Sequence, residues 1–223
     1  MVAKSTMKWL MVENLLALPM SPSQASSTAD RLLRDGFSAA MFQRSGPSYG
    51  AFDFRGKIDA LAEYFADCPG SRARLIDCAA RAPQTLLCQA PSAIMSHNRR
   101  VVDALAHKGL GKAAFLDAQL RSPSLLERPP KRIIAAARYL CRMYESGLFA
   151  ESGRGMFADI LAVPAVLFCG LRNQRLHHWH VLDSGLKGKL PCSAAMRVNT
   201  AEIQAQYAEA FPLNRRADAR ARQ

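Results

Sequence analysis

Apolar residues fall at helical spacing along most of this chain, and the helical runs are punctuated by proline and glycine in a repeated order. Leu75, Ile76, Ala79 and Ala80 form one such run, and it meets Pro83, whose missing amide cannot continue the hydrogen-bond ladder. Val101, Val102, Leu105 and Ala106 form the next stripe, closed by Gly109, which takes a left-handed cap without steric penalty. The order then recurs. Phe115, Leu116 and Leu120 precede Pro123, and Ile133, Ile134, Ala137, Leu140 and Met143 precede Gly147. A third unit has Met156, Phe157, Ile160 and Leu161 before Pro164, then Leu171, Leu176, Trp179 and Leu182 before Gly185. The indole of Trp179 is thereby expected in the core, the alternative being a face that stacks on an unpaired base.

Each proline opens a Pro-x-x-Leu stretch (Pro83 to Leu86, Pro123 to Leu126, Pro164 to Leu167), and each glycine is followed by a leucine (Leu110, Leu148, Leu186). The glycines are 38 residues apart (147 minus 109, and 185 minus 147), and the prolines 40 and 41 apart (123 minus 83, and 164 minus 123). A period of this size marks one supersecondary unit used repeatedly. Pro47 and Gly70 suggest a degenerate earlier copy, in which Gly50 replaces the leucine three after the proline. The pattern predicts an all-α protein, a curved α-solenoid of about four helical repeats ended by a capping helix. That helix is expected over Thr200 to Phe211, where Ile203, Tyr207 and Ala210 share a face.

Three regions follow from this reading. Residues 1–28 hold an N-terminal helix and a linker from Pro19 to Thr28, rich in serine, proline and alanine and without a periodic apolar face. Residues 29–190 hold the repeats, with the run Arg31 to Arg34 ending at Gly36 and a new helix starting from Phe37 to Phe42. Residues 191–223 hold the capping helix and a basic tail carrying Arg215, Arg216, Arg220 and Arg222.

Charge narrows the partners. Lys and Arg number 30 against 18 Asp and Glu, a formal net charge of +12, which favours a polyanion such as RNA, DNA or an anionic membrane surface without choosing among them. The apolar stretch from Trp9 to Met20 contains Glu13 and is too short to cross a bilayer, so no membrane partner is expected. The same stretch is amphipathic from Met7 to Leu18 and could open a targeting segment, although the first arginine is Arg31. The six cysteines lack any Cys-x-x-Cys pair and read as buried thiols. No His-Glu-x-x-His, Gly-x-Ser-x-Gly or phosphate-loop sequence appears, and the acidic residues are scattered, so neither an enzyme, a cofactor nor a small-molecule substrate is expected.

The third unit resembles the signature repeat of the mitochondrial transcription termination factor (mTERF) family. The resemblance lies in Val163-Pro164-Ala165-Val166-Leu167-Phe168, Leu171-Arg172-Asn173-Gln174-Arg175-Leu176, Val181-Leu182 and Gly185-Leu186. The units from Pro83 and Pro123 resemble weaker copies, and the likeness covers about residues 30 to 212. His178-Trp179 stands where the family pattern has Pro-Arg. A 38-residue period is also similar to that of organellar octotricopeptide and heptatricopeptide repeats, whose own signatures are not evident. Either resemblance implies an organellar, normally mitochondrial, nucleic-acid-binding protein of gene expression. It is compatible with a regulator on RNA or double-stranded DNA, or with a structural component of a mitochondrial ribosome bound to rRNA and ribosomal proteins. A purely protein-binding solenoid is the remaining alternative.

The candidate binding residues come from the frame of the repeat. Arg99 and Arg175 lie ten residues before their glycines, and Arg100 and Arg138 nine before theirs, so stacked second helices would align them as a phosphate track. Arg55, Lys131 and Arg172 lie eight after their prolines, with Lys57, Arg132 and Arg175 close behind, which places them near the start of each second helix. Taken singly, each is also compatible with a solvated helix face. His177 and His180, with Cys169, have the residue types of a metal site but no second pair at ligand spacing, so no metal is expected. Ser152-Gly153-Arg154-Gly155 reads as an inter-repeat turn.

Overall fold

The computed structural model describes residues 4–34, 53–150, 152–167 and 171–196, and among them every element is helical. The long helices are α1 (Lys4–Leu16), α2 (Pro22–Arg34), α3 (Phe54–Tyr64), α4 (Ser71–Arg81), α5 (Pro91–Leu105), α6 (Lys112–Arg121), α7 (Pro130–Glu145), α8 (Met156–Ala162) and α9 (Leu171–Asp183). The single-turn α10 (Cys192–Ala195) follows. Short proline turns, Pro83–Leu86, Pro123–Leu126 and Pro164–Leu167, interrupt the chain after α4, α6 and α8. No described helix is long and apolar enough to cross a membrane.

The periodic prolines and glycines occupy equivalent bends. A residue preceding proline is pushed out of the right-handed helical region by the proline Cδ. Ala82 (φ −139°, ψ 65°), Ser122 (φ −138°, ψ 82°) and Val163 (φ −127°, ψ 83°) therefore turn the chain the same way in three copies. The glycines close the second helices with equal regularity: Gly109, Gly147 and Gly185 have φ of 90°, 68° and 64°. Their amides donate to the carbonyls three residues earlier, on Ala106, Tyr144 and Leu182 (2.8, 3.0 and 3.1 Å). The following leucine amides donate to the carbonyls five residues earlier, on Leu105, Met143 and Val181 (3.3, 3.0 and 2.9 Å). This is the paired bonding of a Schellman cap, and it consumes carbonyls that a helix end otherwise leaves open.

The chain divides into two compact units, residues 1–134 and 135–223, the division falling inside α7. In the first, α1 pairs with α2, α3 with α4, and α5 with α6. Helices α1, α3 and α5 pack in order as one layer and α2, α4 and α6 as the other, with the first two proline turns in contact. The core between the layers is apolar and continuous, holding Met11, Leu15, Leu32, Phe54, Ile58, Leu61, Phe65, Leu75, Leu86 and Leu116.

Polar contacts fix the register of the second layer. Two of its helices, α4 and α6, stop at a proline, so their last carbonyls have no amide to meet. Arg31 of α2 donates from Nη1 to the carbonyls of Ala80 and Arg81 at the end of α4, both at 3.1 Å. Arg81 in turn donates from Nη2 to the carbonyl of Leu120 at the end of α6 (3.2 Å), where the Cys78 thiol also donates (2.9 Å). Burial pushes that thiol up to about 11, which keeps it protonated and able to donate. Arg74 pairs with Asp117 (2.8 Å) and Thr85 donates to Glu127 (2.8 Å) across the same interval of 42 or 43 residues (117 minus 74, 127 minus 85).

In the second unit α8 bends through its proline turn, α10 packs on α8, and Phe157, Ile160, Leu161, Val166, Leu176 and Val181 are buried. The Ala150 amide donates to Leu190 (2.8 Å) and the Gly188 amide to Leu148 (2.9 Å), joining the segments that follow α7 and α9. Asp159 of α8 is buried and accepts from the Tyr144 hydroxyl of α7.

Two expectations are corrected. The stretch from Pro22 onward is helix, not linker. Ser21 Oγ accepts from the Gln24 amide (3.3 Å) while Gln24 Oε1 accepts from the Ser21 amide (3.0 Å), a capping box ahead of a stripe of small residues, Ala25, Thr28 and Ala29, that buries with Leu32. In α9 the buried face is Gln174, His177 and Val181 with Leu176, while Trp179 and Leu182 are exposed. Gln174 donates to the Val166 carbonyl in the proline turn (3.0 Å), and that tertiary bond sets the helix rotation against its weak apolar stripe. The expected Gly36 cap, the helix from Phe37 to Phe42, Pro47, Gly50, Cys169, the helix Thr200 to Phe211 and the basic tail lie outside the described residues.

Two outcomes test these supports. Gly147→Ala places a Cβ at φ 68° and should lower unfolding free energy by about 1–2 kcal/mol, whereas Gly111→Ala, at φ −81° on the N-cap of α6, introduces no left-handed strain and should cost less. Urea denaturation of both variants reads the difference. Arg81→Leu should cost about 0.5–1.5 kcal/mol by leaving the Leu120 carbonyl with the Cys78 thiol as its remaining donor, more than Arg72→Leu, which removes only an exposed ion pair with Asp59.

Candidate nucleic-acid interface

The basic residues of the first unit separate into two groups. Those on α4 and α6 are taken up by carboxylates: Arg72 by Asp59 (2.9 Å), Arg74 and Arg121 by Asp117 (2.8 and 3.0 Å), Arg81 by Asp77 (2.9 Å) and Lys112 by Asp67 (3.0 Å). The two guanidiniums beside Asp117 hold its carboxyl below the usual range against the opposing effect of burial. On α5 and the first turn of α7 the balance differs. Arg99, Arg100, Lys131 and Arg132 are exposed, and no carboxylate among the described residues forms a salt bridge with them. Unpaired cations of this kind are the ones able to meet phosphate oxygens.

The remaining expected residues fall out as follows. Arg55 is exposed on the first turn of α3, 3.7 Å from Asp59. Lys57 leaves the set. It is fully buried, and its ammonium donates to the Leu87 carbonyl behind the first proline turn (2.8 Å), so it cannot touch a ligand. Burial lowers its pKa below the ordinary 10.5, against the raising influence of Cys88 and Asp53. Arg138 and Arg175 are exposed in the second unit, and Arg172 lies in the first turn of α9. The proposed rungs Arg99, Arg138 and Arg175 are thus divided between the two units, with the latter two on α7 and α9.

Tyr139, which the apolar pattern did not single out, organises the second unit's cations. Its hydroxyl is 3.0 Å from His178 Nδ1 and bridges α7 to α9. The Arg142 guanidinium lies over its ring at 5.8 Å from the centroid, and Arg175 acts electrostatically on the same hydroxyl. Burial raises the Tyr139 pKa and the two arginines oppose the rise. Burial also lowers the pKa of His178, leaving a neutral imidazole for that bond. The first unit has a looser counterpart in which Lys112 lies over the Tyr64 ring at 4.9 Å, with Arg99 and Asp103 within electrostatic reach of the hydroxyl.

The histidine cluster is structural where it is described. His177 is buried against the Ala195 backbone of α10, with its pKa lowered by burial, and no group of three metal-ligating side chains occurs among the described residues. Ser152 to Gly155 is a turn leading into α8, with positive φ at Gly153 and Gly155. An open cavity of about 350 Å³ beside it is lined by Tyr144, Ser152, Gly153, Gly155 and Met156. Cys68, Cys78, Cys141 and Cys192 are buried and Cys88 is half-buried, none of them in a disulfide; burial pushes Cys192 up to about 12.

The buried lysine yields a pH prediction. The folded protein gives up the Lys57 proton at lower pH than the unfolded chain, so between the two pKa values the unfolded chain binds more protons and stability rises with pH up to 10.5. Urea midpoints measured from about pH 7 to 9.5 should rise more in the native protein than in Lys57→Met, which has no proton to release. Set against family models, curated proteins and solved structures, the chain matches none.

Proposed function

We propose that this protein is a nucleic-acid-binding α-solenoid of mTERF-like repeats that acts in organellar, specifically mitochondrial, gene expression. It grips the sugar-phosphate backbone with cations carried by its second helices. The observation that supports this best is the coincidence of two regularities. The proline bends and glycine caps recur with matching geometry in three copies, and the exposed arginines Arg99, Arg138 and Arg175 sit at nearly the same distance before those glycines. The arginines of α4 and α6 are neutralised by aspartate, while Arg99 and Arg100 on α5 and Lys131 and Arg132 on α7 form no salt bridge with a carboxylate among the described residues. The placement in an organelle rests on the resemblance of the repeat, and the backbone grip on the cations.

Binding of this type releases counterions, so affinity should fall by roughly one power of salt concentration for each phosphate neutralised. Fluorescence anisotropy with a labelled oligonucleotide at several salt concentrations measures that slope. The triple variant Arg99→Glu, Arg138→Glu, Arg175→Glu should lose at least tenfold in affinity while its melting temperature stays near the native value, because all three side chains are exposed. Unchanged affinity would remove the arginines from the interface.

A further inference from the structure

We infer that Trp179 is a stacking platform for an unpaired base, so that the nucleic acid held by the second unit is single-stranded there. This rests on the nucleic-acid reading above and names the class of ligand. The indole leaves 53% of its surface in solvent, on a helix whose inward face is taken by Gln174, His177 and Val181. Arg175 precedes Trp179 by four residues and shares its face of α9, with Leu182 (41% exposed) three residues further on. A second helix supplies cations to the same neighbourhood. His178, adjacent to Trp179, bonds the Tyr139 hydroxyl at 3.0 Å, and Arg142 lies over the Tyr139 ring, one turn after the exposed Arg138.

An exposed aromatic face with a guanidinium one turn away on the same helix, beside a helix that carries two more, suits one ligand chemistry. Cations hold the phosphates and the ring takes the face of a base, which is presented only when the base is unpaired. A duplex offers base edges and backbone, neither of which needs an exposed indole.

The chain has two tryptophans, so Trp9→Phe leaves Trp179 as the sole indole reporter. Titrating that variant with oligo-U and with oligo-dT should quench its fluorescence, the stronger of the two identifying RNA or single-stranded DNA as the ligand, and a duplex of equal length should not. Trp179→Ala, with its fold checked by circular dichroism, should weaken single-strand binding roughly 5- to 150-fold without changing the salt slope, and Trp179→Phe should retain part of the affinity. Single-strand binding without quenching, or with unaltered affinity in Trp179→Ala, overturns the stacking assignment and leaves the backbone-binding function standing. Preferential duplex binding does the same. A native protein that binds no nucleic acid of any kind, or whose indole responds only to a protein, overturns both.

Discussion

Proline creates the need that the rest of the first unit answers. By ending α4 and α6 with a residue that has no amide, the chain leaves carbonyls open at positions that are otherwise packed between helices. An unmet carbonyl in such a place is destabilising by about 1–3 kcal/mol, comparable to a sizeable share of a small domain's net stability. Arg31 meets those of α4, and Arg81 with Cys78 meets that of α6. The donor in each case belongs to the preceding helix of the same layer, so satisfying one helix end also fixes where the next helix lies. Hydrophobic burial supplies the force that holds the layers together, and these directional bonds choose the register.

The same requirement is met differently elsewhere. Lys57 reaches from α3 to the Leu87 carbonyl just beyond the first proline turn, and Gln174 reaches from α9 to Val166 inside the third. Both are polar side chains placed in the core for a backbone carbonyl, with the consequence that an ammonium and an amide sit where apolar residues would otherwise pack. Charge is accordingly spent in two ways in this protein. Some cations are structural, bonded to backbone or to aspartate, and a smaller set on α5, α7 and α9 faces outward. Net charge taken over the whole sequence does not separate them, because separation depends on which carbonyls and carboxylates come within reach.

Much of the fold was legible in the residues. Pro83, Pro123 and Pro164 bend the chain, and Gly109, Gly147 and Gly185 cap it, because both effects are local to a few backbone angles. The α2 start was legible too, in Ser21 and Gln24, yet serine and alanine between Pro19 and Thr28 read as linker because the stripe they form is made of small residues with little apolar contrast. The candidate site was less legible. Position in the repeat marked Arg99, Arg138 and Arg175 as exposed helix residues, but it equally marked Lys57, which is buried. Tyr139 carried no signal, since a tyrosine at an apolar position looks the same whether or not its hydroxyl bridges two helices.

By itself the sequence determined an all-helical chain, its period, the sites of its bends and caps, and its excess of positive charge, each of which follows from single-residue chemistry or from spacing along one helix. Tertiary structure alone decided which way α9 faces, and so that His177 is inside and Trp179 outside. It also decided which cations are consumed by backbone and aspartate. The reason is that rotation of a helix with weak amphipathic contrast is set by the partners its polar groups find on other elements, and those partners are far away in the chain.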